Sequence, residues 1–202
     1  RERENNKYKE KYNAVSYEMI DFLNTLNFNV FLIPINNLKI SFLNSFECSG
    51  VILGPGEDTK FNLKKKKGTK RDLIEYQIFR YALKNNIPIL GICRGMQIIN
   101  LFYGGKINIV RNHVTSSHKI SVVDNKFRSQ YLKKNIHKNS YHDYGINNYN
   151  LSKHLTPWAY ADNVVEGFYN KKKKVYAIGW HPERYKKFKK DDLKFIKYIF
   201  NG

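Results

Sequence analysis

The chain reads as an α/β protein, a three-layer αβα sandwich whose mostly parallel sheet continues into an antiparallel extension. Three observations predict it. Short apolar runs alternate with amphipathic helical patterns through the first half, the rhythm of βα units. Closely spaced strand patterns fill much of the second half, the rhythm of hairpins. Between them, at 87–97, an apolar run passes through a glycine-flanked cysteine directly into a helical pattern, which spells a strand, a sharp turn and a helix. The 202 residues, 42% of them hydrophobic, suit a single domain over 1–202 with a sizeable core. No internal repeat or proline-rich linker divides it.

In order along the chain, 12–26 reads as an amphipathic helix, 30–33 as a strand and 50–53 as another. A second helix is expected over 71–84, with Leu73, Ile74, Ile78, Phe79, Ala82 and Leu83 on one apolar face, leading into the strand before Cys93. After the helix that follows Cys93, shorter strands are expected near 106–110, 119–123, 164–169 and 175–180. A terminal helix then opens at Asp191 and Asp192, acidic residues that suit its positive end.

Cys93 is where the chemistry points. A side chain on a strand-to-helix elbow projects from the open end of a sheet, facing the unpaired amides of the next helix. Gly91 and Gly95 flank it at the spacing that lets such a crowded turn form. The helix dipole and free amides favour thiolate, so a lowered thiol pKa is expected, in contrast to the inert thiol of a buried structural cysteine. A cysteine nucleophile needs a base and a group to orient that base. Of the six histidines, His181 is the best placed, ending the apolar run 175–180 and followed by Pro182 and Glu183. His181 and Glu183 are the expected base and orienter.

Gly-Ile-Cys-Arg-Gly-Met-Gln at 91–97 and Gly-Trp-His-Pro-Glu at 179–183 resemble the class I glutamine amidotransferase superfamily, and within it the γ-glutamyl hydrolase branch. The resemblance runs from about Tyr12 to the end of the chain. It implies a flavodoxin-like fold and hydrolysis of a γ-glutamyl amide through a thioester on Cys93. It also implies an oxyanion hole made by the amides of Gly56, in the Gly54-Pro55-Gly56 loop, and Arg94. Gln97, four residues beyond Cys93, matches the family glutamine that contacts the glutamyl group. Asn139-Ser-Tyr-His142 resembles a substrate-binding segment, which makes Ser140, Tyr141 and His142 substrate-binding candidates. Asp143 and Tyr144 depart from a second His and a Gln common in the branch, so the leaving group is expected to differ from aminobutyrate. Segments 139–146 and 181–184 look like bacterial surface-polysaccharide relatives, whose substrate is nucleotide-linked, a γ-glutamyl-CDP-amidate. The alternatives are a γ-glutamyl-γ-aminobutyrate-type hydrolase and the glutaminase subunit of an amidotransferase. Relatives begin with a strand before the first helix; here that strand is expected either to be missing or to lie upstream of Arg1.

Thirty-six Lys and Arg against 17 acidic residues give a formal charge of +19, which raises the alternative of a basic, nonenzymatic nucleic-acid module. The lysines are spread widely, and the runs 64–67 and 171–174 fall in expected loops without interleaved aromatics, so no nucleic-acid partner is expected. The run 64–67, next to the Gly56 loop, either draws an anionic substrate inward or is simply solvated. No apolar run reaches eighteen residues and the start is polar, so neither a membrane span nor a secretory signal is expected, and the expected setting is cytoplasmic. Cys48 and Cys93 show neither a disulfide framework nor metal-ligand spacing, so no metal and no cofactor are expected. The expected partner is a small γ-glutamyl substrate; a homodimer is compatible with the sequence, which does not fix the assembly.

Overall fold

The computed structural model describes residues 2–36, 39–45, 47–110 and 113–201. It opens with an antiparallel hairpin of β1 (Glu2–Asn5) and β2 (Glu10–Asn13), followed by α1 (Tyr17–Thr25). The helix expected over 12–26 is therefore shorter. Glu10 to Asn13 are all exposed, so no buried stripe holds them helical. The Ser16 hydroxyl accepts from the Met19 amide and fixes where the helix starts. The strand expected at 30–33 does not form either. Only Val30 of that stretch packs on the core, Phe31 and Leu32 are exposed, and the edge of the main sheet is the next strand.

That strand is β3 (Val51–Leu53), followed by α2 (Lys70–Lys84), β4 (Ile89–Ile92) and α3 (Arg94–Phe102). A capping box starts α2, Thr69 and Asp72 each accepting from the other's amide. The second half contains β5 (Asn108–Ile109), β6 (Val114–Val122), α4 (Asn125–Gln130), β7 (Asn135–Tyr141) and β8 (Tyr144–Gly145). It closes with β9 (Thr156–Ala161), β10 (Val164–Asn170), β11 (Val175–Ile178) and α5 (Lys190–Asn201).

Seven strands form one sheet in the order β3-β4-β11-β10-β9-β6-β7. Only β3/β4 and β4/β11 pair in parallel, so the antiparallel extension is the larger part of the sheet. Its strand β7 gave no apolar alternation to read, because its inward positions include Lys138, Asn139 and Ser140. Side chains alternate between two cores. Leu90, Ile92, Tyr176 and Ile178 face α1, α4 and α5, while Ile89, Val175 and Ala177 face α2 and α3. Helices on both faces complete the three layers. Asp192 of α5 is buried, taking bonds from Lys138 Nζ at 2.7 Å and Trp180 Nε1 at 3.0 Å, which ties α5 to the end of β11. Among the described residues no helix is long and apolar enough to cross a membrane.

Candidate active site

The glycine loop, the cysteine and the histidine leave the C-terminal ends of three neighbouring parallel strands. Leu53 pairs with Gly91, and Ile92 with Ile178, so residues 54, 93 and 179 emerge along one sheet edge. This edge is where open α/β sheets place their ligands. Cys93 sits there at φ 53°, ψ −106°, a conformation costly for any residue with a Cβ, pinned by its amide donating to the Ile178 carbonyl at 2.9 Å. Two residues on, α3 crosses β3 so closely that a Cβ on Gly95 would stand 1.7 Å from the Leu53 carbonyl oxygen. Only glycine allows that approach.

His181 and Glu183 are both almost wholly buried, with His181 Nδ1 2.7 Å from Glu183 Oε1. A single helical turn at Pro182–Arg184 returns the carboxylate to its own histidine. With Nδ1 paired to Glu183, Nε2 is the ring nitrogen left over; it is buried and has no hydrogen-bond partner among the described residues. Asn139 holds the backbone here, its amide side chain accepting from His181 N at 2.8 Å and donating to His181 O at 2.9 Å. Sequence reasoning gave Asn139 no such role. Its signal was weak, since the clamp joins residues 42 apart in sequence.

The expectation of a lowered Cys93 pKa is overturned. Burial pushes the thiol up to about 12, against the opposing pull of the Arg94 amide and the Arg184 charge and with help from the Glu166 and Glu183 carboxylates. Burial thus favours the neutral Cys93 thiol, and the helix N-terminus does not outweigh desolvation. Alkylation of Cys93 by iodoacetamide is therefore expected to climb through neutral pH without levelling off below about pH 10, as a thiol of raised pKa must. A plateau with its midpoint below neutrality would mean a resting ion pair instead.

Arg94 turns its amide toward Cys93, while its buried guanidinium bonds Asp72 and Glu75 of α2. The Asp72 carboxyl is held below its usual range, since the Thr69 amide and the Arg94 charge overcome its burial. Glu75 also takes Arg71 Nε at 2.7 Å, and Arg71 Nη2 reaches the carbonyls of Gly54 at 2.8 Å and Pro55 at 3.2 Å. Gly56 follows directly, its α-carbon packed against the same guanidinium.

Gln97 and His142 line a small cleft beside Cys93, together with Tyr144 and Gly179. Gln97 Nε2 donates to the Tyr144 carbonyl at 2.7 Å. Tyr141 stays partly exposed, its ring edge-on to His181 and covered by the Arg184 guanidinium at 4.6 Å. Ser140 is fully buried and its hydroxyl donates to the His113 carbonyl, so its side chain supports the strand and faces away from solvent. Behind His142 lies Glu166, wholly buried. Burial alone would raise this carboxyl, but the facing His113 and His142 imidazoles bring it down to about 2. Glu166 and the Tyr144 carbonyl in turn raise His142 despite its burial, whereas burial lowers His118. Both cysteines are free thiols; half-buried Cys48 donates to the Gly50 carbonyl.

Residues 2–183 match the family model described as Peptidase C26. The γ-glutamyl-CDP-amidate hydrolase of Campylobacter jejuni subsp. jejuni serotype O:2 is 35% identical over 135 residues, covering 66% of this chain and 62% of that protein. The match thus spans less than two thirds of that relative's length. The glutamine amidotransferase-like protein YvdE of Lactococcus lactis subsp. lactis is 30% identical over 220 residues, covering 95% of this chain and 91% of YvdE. A solved Thermoplasma acidophilum structure, described as belonging to a GMP synthase, superposes with a TM-score of 0.69 at 24% identity, over 91% of this chain and 85% of that one. It shares the fold.

Proposed function

We propose, from the premise that the chain belongs to the Peptidase C26 family, that it is a cysteine hydrolase cleaving a γ-glutamyl amide through a thioester. The observation that carries this reading is the convergence of the strained Cys93 elbow and the buried His181–Glu183 pair at one edge of the parallel strands. In the first half-reaction His181 Nε2 takes the thiol proton as sulfur attacks the γ-carbonyl carbon. Glu183 stabilises the imidazolium. The amides of Arg94 and Gly56 receive the developing oxyanion, each donor being worth about 10²- to 10³-fold in rate. The imidazolium then protonates the leaving nitrogen as the C–N bond breaks. In the second half-reaction His181 deprotonates a water that attacks the thioester. The C–S bond breaks, glutamate leaves, and the proton returns to Cys93. Because the resting thiol is neutral, proton transfer to His181 belongs to the attack step.

For the substrate we propose γ-glutamyl-CDP-amidate, releasing cytidine diphosphoramidate for surface-polysaccharide synthesis. Support comes from the Campylobacter relative and from Arg184, a partly exposed cation whose charge reaches Cys93 and could meet a diphosphate-like leaving group. A second reading is a glutaminase that feeds ammonia to a synthase, favoured by the likeness to YvdE, a protein described as glutamine amidotransferase-like. Glutamate release by the purified protein from glutamine, γ-glutamyl-aminobutyrate and γ-glutamyl-CDP-amidate separates them. Turnover of the nucleotide compound alone supports the first reading. Turnover of the amine conjugate but not the nucleotide compound sinks it, and silence on all three favours a partner-dependent glutaminase.

A further inference from the structure

Behind the cleft, four side chains from separate stretches of sequence converge. His113 precedes β6, His118 lies on β6, His142 follows β7 and Glu166 lies on β10. Two of them are delivered by irregularities in the ladder. The β9/β10 register slips between Val165 and Gly167, leaving Glu166 as the extra residue, and the β6/β7 register slips between Thr115 and His118. Bulges of this kind re-aim side chains. Gly179 gives way as well, since a Cβ there would stand 2.2 Å from Glu166 Oε2.

The cluster does not satisfy itself. Among the described residues, His113 Nδ1, His118 Nε2, both ring nitrogens of His142 and both oxygens of Glu166 are buried without a hydrogen-bond partner. So many unpaired polar atoms in one place call for a missing partner. His113 Nδ1 and His142 Nε2 stand 3.3 and 3.4 Å from Glu166 Oε1. Two ligands each about 2.0–2.1 Å from a tetrahedral ion stand about 3.3–3.4 Å apart. His118 Nε2 lies 4.0 Å from Glu166 Oε2, and the donor atoms of His113, His118 and Glu166 all fall within 4.8 Å of one another.

We propose that His113, His118 and Glu166, with His142 beside Glu166, form a binding site for one divalent transition-metal ion of the zinc type, separate from the proposed cysteine chemistry. Imidazole nitrogens with one carboxylate suit zinc among the available metals, and no thiolate takes part. His142 also lines the cleft, which opens a route from solvent. The ion would stitch β6, β7 and β10 together at the floor of that cleft. The expectation of no metal site drew on the cysteines alone; ligands spread over residues 113–166 leave no short spacing motif to read.

The whole protein, stripped by a chelator and dialysed, is titrated with Zn²⁺ alone and its metal content measured. One equivalent per chain is expected, with a higher melting temperature than the stripped form. His113→Ala and His118→Ala should each weaken Zn²⁺ binding by at least about 100-fold, no less than the loss of a ligand's outer partner typically costs. Cys93→Ala and Cys48→Ala should bind as the parent does. Co²⁺ in place of Zn²⁺ should show four-coordinate visible bands without a thiolate charge-transfer band. His118→Gln, with circular dichroism as a check on folding, serves if the alanine variants do not fold. Absence of stoichiometric Zn²⁺ at micromolar concentration, unchanged binding in the folded histidine variants, or loss of binding in Cys93→Ala would each overturn the assignment. None of these readouts depends on turnover, so the metal site and the hydrolase reading fail separately.

Discussion

Cys93→Ala is expected to lower glutamate release from the true substrate by at least about 10⁴-fold, the scale on which nucleophiles of coupled triads fail when removed. The fold should survive, because the elbow is fixed by its backbone bond to Ile178 and by the close contact of α3 with β3, neither of which involves sulfur. Cys93→Gly should be equally inactive yet more stable than Cys93→Ala by about 1–3 kcal/mol, since φ 53°, ψ −106° costs glycine little and a Cβ-bearing residue much. Denaturant melts of the two variants check the stability half, and glutamate release checks the other. Residual turnover above about 1% in Cys93→Ala would remove Cys93 from the covalent role. An alanine variant as stable as the glycine variant would mean that the elbow carries no strain.

Gly95→Ala is expected to cost more than about 4 kcal/mol, in the class of substitutions large enough to identify their mechanism. The new Cβ would lie 1.7 Å from the Leu53 carbonyl oxygen and 2.6 Å from its carbon, and backbone atoms cannot rotate away as a side-chain tip can. Either α3 retreats from β3, or β3 leaves the sheet edge. Both moves displace the Gly54–Pro55–Gly56 loop relative to Cys93, so whatever folded protein survives should also lose activity. For a domain of this size the loss corresponds to a melting temperature lower by more than about 8 °C. A soluble variant melting within about 2 °C of the parent would show that the contact is not tight in solution.

How far the sequence was legible follows from what kind of information each feature needs. Cys93 could be read because its turn chemistry is local, with the strand, the glycines and the helix all within 87–97. Glu183 could be assigned to His181 because two residues and one proline separate them. Helix α2 could be placed almost to the residue because its apolar face has a helical period. The β1–β2 hairpin could not, since its exposed polar residues bury nothing and leave no periodicity. Strand β7 hides for the opposite reason, burying Lys138 against Asp192 and Asn139 against His181, partners supplied by distant elements. The thiol pKa was misread on the same account. The helix end beside Cys93 is written locally, but the burial that dominates it is assembled by α3, by β8 and β10, and by the ends of β4, β7 and β11.

Arg94 is a residue with two ends in different worlds. Its amide faces Cys93, and its guanidinium is gripped by Asp72 and Glu75. Glu75 grips Arg71 as well, and Arg71 carries the carbonyls of Gly54 and Pro55. Both amides proposed to receive the oxyanion are thus guyed to adjacent anchor points on α2, a helix none of whose residues lines the cleft. A tilt of α2 would move the two donors as one truss and preserve their spacing, while changing their aim at the carbonyl. A substitution that tilts α2 is therefore expected to change the rate of glutamate release without touching substrate.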